Sequence, residues 1–313
     1  MSLHIEYRPE SLDEIIGNQE TIEGLRSVLS REHPPSTFLF TGPGGTGKTT
    51  LARIVAKMLN VDDADFLEQN ASNDRGIDAI RKIIDNLKFS PLHGDRKFIL
   101  LDEAHMLTKP SQEALLKTLE EPPPYVHIAI CTTNPEALKQ TFKRRCHTYE
   151  LEHLTYNDLM KLIRRTLKAE KINPKKFKRA VAEKIVEVAD GSAGQCMKIL
   201  DMVIDMSDAN KAIKQIESVG FGAGSAEVID ICRILSDYNI NNQTRWKKLK
   251  DILKEFKTDG ESARRPILAY LEKVLISTDS LEIALRMECF NKNYYDTGKS
   301  GLVLSCFEAC QDG

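Results

Sequence analysis

The sequence predicts an α/β domain built on a parallel, doubly wound sheet, followed by regions that are entirely helical. Up to about residue 150, short apolar runs alternate with amphipathic runs, which is the pattern of strand–helix–strand units. A glycine-rich loop connects one of the predicted strands to a predicted helix. Beyond residue 154 no strand pattern is found, whereas helical spacing of apolar residues continues. An α/β then all-α organisation follows from these three observations.

Apolar periodicity and helix-breaking prolines give the predicted elements in order. The α/β region contains predicted strands at 37–41, 67–70, 97–101 and 126–131, and predicted helices at 20–32, 48–59, 74–86 and 111–119. The helical regions contain predicted helices at 159–167, 177–189, 195–207, 226–237, 244–256, 263–276, 279–291 and 299–310. A segment with three glycines, 218–225, reads as a linker. We therefore predict domains at 1–153, 154–217 and 226–313.

Composition restricts the class of protein. No apolar run approaches the roughly 20 residues that span a bilayer, and the first residues lack the pattern of a secretory signal. Seven scattered cysteines without a C-x-x-C pair predict reduced thiols in a cytosol-like compartment, not a zinc module or a disulfide framework. The net charge of −2 excludes a chain that is basic as a whole, so nucleic-acid binding would require a local patch or an assembly.

The loop after the first predicted strand matches the phosphate-binding pattern G-x-x-x-x-G-K-[ST] at every fixed position. Glycines let the backbone approach an anion closely, and the N–H groups at the start of the following helix attract phosphate. Lys48 is expected to reach the β- and γ-phosphates of a nucleoside triphosphate, and Thr49 to bind Mg²⁺. The residues expected to contact the phosphates are Gly42, Pro43, Gly44, Gly45, Thr46, Gly47, Lys48, Thr49 and Thr50.

Polar side chains follow two other predicted strands. Asp102 and Glu103 end an apolar strand, and we expect Asp102 to hold Mg²⁺ and Glu103 to polarise the attacking water. Asn134 follows the next strand and is expected to contact the γ-phosphate or that water, although Asn134-Pro135 is also a plain turn signal. Since parallel strands end at one edge of a sheet, these groups should converge on one crevice.

A basic cluster, Lys143-Arg144-Arg145, precedes Cys146 near the predicted domain boundary. It is compatible with an ordinary solvated run of charge. It is equally compatible with an arginine that reaches the nucleotide of a neighbouring subunit and stabilises charge in the transition state. The residues alone leave both interpretations open.

Taken together, these segments resemble the clamp-loader ATPase subunits of the AAA+ family, such as the small subunits of replication factor C and the bacterial polymerase III gamma/tau subunit. The resemblance covers about residues 5–205. It is carried by Tyr7-Arg8-Pro9 with the run from Leu12 to Asn18, by Asn70 to Ile77, by Asp102 to Leu107, and by Ala114 to Pro123. It implies an AAA+ module with a helical lid, followed by a helical collar domain that oligomerises.

The resemblance also implies roles for individual residues. Asn134 matches the family's sensor 1 position, and Arg145 matches the arginine that acts in trans, although Arg144 stands where the family usually has serine and is an alternative for that role. Gly194 stands where the family usually has the sensor 2 arginine. Lys198, one helical turn on, is a candidate substitute, although it is also compatible with an ordinary solvated lysine. The element expected to pack on adenine comprises Tyr7, Arg8, Pro9, Ile16 and Gly17.

The implied function is ATP-driven opening and loading of a sliding clamp onto primed DNA, by a pentameric assembly that uses ATP and Mg²⁺. DNA contacts are implied for Arg75, Arg81, Lys82 and Lys109, although these are also compatible with ordinary solvated charges. Clamp contacts are implied for Leu87, Phe89 and Leu92, which are equally compatible with local core residues. Two alternatives stay open: a DNA-remodelling AAA+ motor of the branch-migration type, and a scaffold subunit with weak hydrolysis. The lost arginine at position 194 favours the scaffold, whereas the complete set Lys48, Thr49, Asp102 and Glu103 favours hydrolysis.

Overall fold

In a computed structural model of the 313-residue chain, the structure describes residues 2–172, 177–220, 226–256, 259–294 and 297–311. The chain forms two compact units, Met1–Ile204 and Asp205–Gly313. The finer division into domains 1–153, 154–217 and 226–313 remains a prediction. Of the predicted linker 218–225, residues 218–220 end a helix and 221–225 lie outside the described residues.

The first unit contains a parallel sheet, as predicted, but with five strands instead of four. Its strands are β1 (Thr37–Thr41), β2 (Phe66–Asn70), β3 (Lys97–Asp102), β4 (Val126–Thr132) and β5 (His147–Glu150). Their spatial order is β2-β3-β4-β1-β5. The edge strand β5 was not predicted, because its four residues are polar and mostly exposed and it is identified by its pairing with β1.

The helices of the first unit lie on both faces of the sheet or follow it. Those of the sheet region are α1 (Leu3–Glu6), α2 (Gln19–Leu29), α3 (Lys48–Met58), α4 (Ile77–Asn86), α5 (Lys109–Glu120) and α6 (Gln140–Lys143). The lid helices are α7 (Tyr156–Ala169), α8 (Arg179–Ala189) and α9 (Ala193–Val203). Their existence, apart from the one-turn helices α1 and α6, agrees with the sequence prediction.

Alternation along the strands divides the core of this unit between the two faces of the sheet. Phe38 and Phe40 of β1 belong to a cluster with residues of α2 and α3. Leu39, between them, belongs to a second cluster with residues of α4 and α5. The sheet is therefore covered on both faces, which leaves the carboxyl ends of its strands as the place for a ligand.

The second unit is helical throughout its described residues. Its helices are α10 (Ala209–Gly220), α11 (Ala226–Ser236), α12 (Asn242–Glu255), α13 (Gly260–Thr278), α14 (Leu281–Glu288) and α15 (Lys299–Glu308). Two buried guanidinium groups fix the end of α11: Arg245 donates to the carbonyls of Ile234 and Asp237, and Arg286 donates to that of Leu235. The last carbonyls of the helix, which lack partners within it, are satisfied in this way.

All seven cysteines are free thiols. Cys131, Cys196 and Cys232 are completely buried, as expected for core residues, and burial raises the pKa of each thiol. None of the helices in the described part of the chain is both long enough and apolar enough to cross a bilayer.

Candidate functional site

The phosphate-binding loop joins β1 to α3, where three glycines adopt positive φ angles. At Gly42 (φ 133°), a Cβ atom would lie 2.1 Å from the carbonyl oxygen of Leu151. At Gly45 (φ 72°), a Cβ atom would lie 2.1 Å from the hydroxyl of Ser192. Any side chain at either position would displace backbone or the first turn of α9. The close approach of chain segments around this loop therefore requires glycine.

Lys48, the first residue of α3, lies inside the loop. Its side chain is buried, and its Nζ donates hydrogen bonds to the carbonyl oxygens of Gly42 (2.8 Å) and Pro43 (2.6 Å). Burial lowers the pKa of the Lys48 ammonium, and nearby acids including Glu103 and Asp102 oppose the shift. Gly42 and Pro43 do not line the cleft described below and act through Lys48 instead.

Thr49 and Asp102 meet at the end of β3. The hydroxyl of Thr49 donates to Oδ2 of Asp102 at 2.9 Å, and Oδ1 of Asp102 accepts from the backbone N–H of Glu103 at 2.9 Å. A hydroxyl and a carboxylate are the hard oxygen donors that Mg²⁺ prefers. The described residues contain no group of three or more His, Cys, Asp or Glu able to hold a metal. Thr49 and Asp102 would therefore be suited to hold a Mg²⁺ ion.

Glu103 follows Asp102 in the left-handed region, with φ 52°, and its carboxylate is aimed toward the next strand. Oε2 of Glu103 lies 3.4 Å from Nδ1 of His105, which lies 3.3 Å from the hydroxyl of Thr132. The same hydroxyl accepts the backbone N–H of Asn134 at 3.1 Å. His105 and Thr132 thus connect Glu103 to the loop after β4. Sequence reasoning missed both residues.

A cleft of about 300 Å³ extends from the phosphate loop to the lid. Predicted residues that line it are Tyr7, Arg8, Pro9, Ile16, Gly44, Gly45, Thr46, Gly47, Lys48, Thr49, Thr50, Asp102, Glu103 and Lys198. Gly17 does not line it but packs behind it, where a Cβ atom would lie 2.5 Å from the side chain of Leu154. Asn134 is exposed and its neighbour Thr133 lines the cleft instead, so its role remains a prediction.

The lid contributes residues that the sequence analysis did not identify. Leu154, Leu162, Arg165 and Met197 line the cleft, as do His4, Glu14 and Ile15 of the N-terminal segment. The N–H of Gly194 donates to the carbonyl of Gly45 at 3.1 Å, so the first turn of α9 touches the phosphate loop directly. Lys198, one turn further along α9, is exposed and lines the cleft.

Arg145 lies outside this cleft. Its guanidinium pairs with Glu120 (Nη2–Oε2 2.9 Å) and donates to the carbonyl of Thr141 (2.7 Å). Arg144, at the end of α6, is exposed, and among the described residues it has no ion pair. Neither arginine lines the cleft of its own chain. An arginine that acts on the nucleotide of a neighbouring subunit must lie outside its own cleft.

The four predicted DNA-contacting residues are all exposed and cluster at α4 and α5. Arg75 precedes α4, Arg81 and Lys82 lie on it, and Lys109 begins α5. The carbonyl of Arg75 accepts the hydroxyl of Ser111 at 2.9 Å, which joins the beginnings of the two helices. This arrangement is compatible with a basic surface, and the DNA contacts remain predictions.

Of the three predicted clamp contacts, Leu87 is wrong: it is 2% exposed and belongs to the core under α4 and α5. Phe89 and Leu92 are 69% and 73% exposed. We call residues 88–94 the apolar loop. Two buried charged residues, Asp65 and Lys97, form hydrogen bonds with the main chain of this loop.

Asp65 and Lys97 are these buried anchors. The carboxylate of Asp65 accepts the N–H groups of Leu92 (2.7 Å) and His93 (3.0 Å). Nζ of Lys97 donates to the carbonyl of Phe89 at 3.0 Å. Burial by itself raises the pKa of Asp65, but the backbone donors outweigh it and hold the pKa below its ordinary value. The loop is therefore fixed by main-chain contacts that do not involve its apolar side chains.

The sequence of this chain is similar to those of bacterial DNA polymerase III subunits. A family model described as DNA polymerase III, delta subunit, matches residues 60–155. The DNA polymerase III subunit tau of Bacillus subtilis is 26% identical over 88% of this chain and 52% of its own length. Subunit gamma of Buchnera aphidicola subsp. Schizaphis graminum is 30% identical over 66% of this chain and 62% of its own. The chain thus spans roughly half to two-thirds of these relatives.

Among solved structures, a RuvB mutant of Thermotoga maritima matches with a TM-score of 0.58 at 21% identity, over 78% of this chain and 86% of that one. A second Thermotoga maritima structure, described as the RuvB Holliday junction branch migration motor, matches with a TM-score of 0.56 at 22% identity, over 78% and 85%. At this identity the likeness shows the fold alone, and it confirms the predicted AAA+ architecture. By sequence, the chain is therefore similar to the gamma and tau subunits of bacterial DNA polymerase III.

Proposed function

We propose that this chain hydrolyses ATP as a subunit of a sliding-clamp loader, in a cytosol-like compartment. One observation carries the proposal: Lys48, Thr49, Asp102 and Glu103 are assembled at the carboxyl ends of β1 and β3, while Arg145 lies outside that cleft. The first four groups supply phosphate, metal and water contacts in one chain. The arginine that completes the site would come from a neighbour.

Each group has a separate task in hydrolysis. Lys48 would hold the β- and γ-phosphates, and the hydroxyl of Thr49 and the carboxylate of Asp102 would hold Mg²⁺. When bound, Mg²⁺ neutralises charge on the phosphates. Glu103 would orient the attacking water and accept a proton from it. His105, which lies beside the carboxylate of Glu103, would hold that carboxylate in position. Arg145 of the adjoining subunit would stabilise the charge of the transition state.

The proposed macromolecular partners are the sliding clamp, primer-template DNA and other loader subunits, in a pentameric assembly. Phe89 and Leu92 are exposed apolar side chains of one short loop, and a partner that buried them would gain from the removal of apolar surface from water. Arg75, Arg81, Lys82 and Lys109 would each add a phosphate contact, and a ring of subunits would sum them despite a net charge of −2.

The test is ATP turnover by the reconstituted loader. Turnover should rise when both clamp and primed DNA are present, and the same complex carrying Lys48→Ala should show no such rise. Turnover that is indifferent to clamp and primed DNA contradicts the proposal. Stimulation by four-way junction DNA in place of primed DNA would support the branch-migration alternative.

The scaffold alternative rests on Gly194, and the structure gives it a direct test. A Cβ atom at Gly194 would lie 3.6 Å from Cα of Gly45, an ordinary contact, so a side chain fits there. Gly194→Arg is expected to raise the affinity for ATP relative to ADP about tenfold, because the new cation would lie beside the phosphate loop, where the γ-phosphate is proposed to bind. Titration calorimetry with both nucleotides measures the ratio.

Gly194→Gln is the matched control, since it adds a long polar side chain without charge and should leave the ratio within about twofold. Lys198→Gln should lower the ratio if this lysine substitutes for the arginine, because helical side chains lean toward the helix N-terminus and hence toward position 194. An unchanged ratio in Gly194→Arg would mean that α9 does not face the γ-phosphate.

The apolar loop yields a prediction for clamp binding. Replacing Phe89 and Leu92 together by serine should weaken clamp binding at least tenfold, since burying one such side chain contributes about 1.5–3 kcal/mol. Surface plasmon resonance with immobilised clamp measures the effect. Met58→Ser removes an exposed apolar residue elsewhere (42% exposed) and should change nothing. Equal affinity of the double variant and wild type would remove the loop from the interface.

A further inference from the structure

We propose that Arg165 binds the base end of the nucleotide and connects it to the lid. The inference rests on the proposed ATP-binding function and adds a residue that no sequence motif indicates. Arg165 lies on α7, is half-buried, and lines the cleft. Its neighbour Arg164 is exposed and does not line it.

The lining of the cleft shows which end Arg165 serves. The phosphate loop, Asp102 and Glu103 form the polar end. The apolar lining residues include Ile15, Ile16, Leu154, Leu162 and Met197. Leu162 and Arg165 are three residues apart on α7 and therefore share one helix face. Arg165 thus lies beside apolar residues of the cleft, and apolar residues can pack against the flat faces of a purine base.

The guanidinium of Arg165 is positioned but not neutralised. Nη1 donates to the carbonyl of Glu14 at 2.6 Å. In the described part of the chain, Arg165 has no carboxylate at ion-pair distance and no further side-chain hydrogen bond. A guanidinium carries five N–H donors in a rigid plane. The remaining donors and the charge are therefore available to a ring nitrogen of the base or to the face of the ring.

The same region fastens the N-terminal segment to the lid. The hydroxyl of Tyr7 donates to Glu170, which caps α7, at 2.5 Å. The hydroxyl of Ser2 donates to Asp201 of α9 at 2.5 Å. With Arg165 bound to the carbonyl of Glu14, the N-terminal segment has three polar connections to lid residues. Arg165 and Lys198 are thus two cationic side chains of the lid helices that line the cleft.

This assignment makes a prediction about which nucleotides are affected. A residue at the base end contacts the part that ATP and ADP share. Arg165→Gln should therefore weaken the binding of ATP and of ADP by the same factor, about tenfold. This factor corresponds to about 1.4 kcal/mol, close to the contribution of one hydrogen bond to a charged group. Arg164→Gln, the matched control on the same helix, should bind both nucleotides like wild type.

Calorimetric titration of the whole chain with ATP, ADP and CTP provides the measurement. If Arg165 contacts the base, the preference for ATP over CTP shrinks in Arg165→Gln. A purely structural role, through the carbonyl of Glu14 alone, would leave that preference unchanged and would overturn the inference. Loss of ATP affinity without loss of ADP affinity would also overturn it, because Arg165 would then serve the γ-phosphate.

The experiment distinguishes this inference from the function beneath it. If the wild-type chain bound no ATP, the proposed function would fail. If wild type binds ATP, Lys48→Ala does not, and Arg165→Gln binds ATP, ADP and CTP like wild type, only the assignment of Arg165 is wrong.

Discussion

Replacing Arg145 by alanine is expected to lower ATP turnover of the assembled loader about 10³-fold, while the isolated chain keeps its affinity for ATP. An arginine supplied in trans to a phosphoryl-transfer site contributes about 10³–10⁵ in rate, and Arg145 does not line its own cleft. The variant should fold normally, because the side chain forms a partly exposed pair with Glu120, and such pairs contribute at most about 1 kcal/mol.

Arg144→Ala is the matched control for this experiment and should retain turnover within about threefold. Turnover by the assembled complex and binding of a fluorescent ATP analogue by the isolated chain must be measured on the same preparations. If Arg144→Ala loses turnover and Arg145→Ala does not, the neighbouring arginine completes the site. If the isolated chain hydrolyses ATP at the rate of the assembly, no arginine acts in trans.

The second large effect is expected from Glu103→Gln, which should lower turnover about 10²–10³-fold without weakening ATP binding. The amide keeps the size of the side chain and its reach toward His105, but it cannot accept a proton from water. Binding should persist because Lys48, Thr49 and Asp102, the residues proposed to hold the phosphates and Mg²⁺, are unchanged. Single-turnover kinetics measures the rate of hydrolysis and equilibrium titration measures the affinity for ATP, so the two effects can be separated.

Glu136→Gln tests whether the effect is specific to this carboxylate. Glu136 is exposed and pairs with Lys143 at 3.5 Å, away from the cleft lining, so its replacement should leave turnover unchanged. A Glu103→Gln chain that hydrolyses ATP normally would show that another group activates the water. A chain that no longer binds ATP would place Glu103 among the binding residues instead.

The sequence was sufficient to predict those parts of the fold and of the site that depend on residues close together along the chain. The strand ending at Asp102 and the loop ending at Thr49 were found because an apolar run and a fixed spacing define them locally. The edge strand His147–Glu150 was missed because only pairing with β1 makes it a strand. Arg165 was missed for the same kind of reason, since its place in the cleft depends on how α7 packs beside the N-terminal segment.

For Leu87, the local-core interpretation is the correct one, and the sequence contains the signal for it. Leu87 continues the apolar spacing of Ile80 and Ile83, seven and four residues earlier, which marks one face of a helix. The structure buries all three together. Phe89, just beyond the end of that helix, departs from the spacing and is exposed. Periodicity therefore contained the distinction between the core residue and the surface residues.

The anchoring of the apolar loop has a consequence for how this surface can change over evolution. Asp65 and Lys97 hold main-chain atoms, so the shape of the loop is independent of which side chains stand at positions 89 and 92. Under the proposed clamp-binding role, substitutions at positions 89 and 92 would alter what the loop recognises while its main-chain contacts to Asp65 and Lys97 are kept. Selection could then match these two positions to a changed clamp.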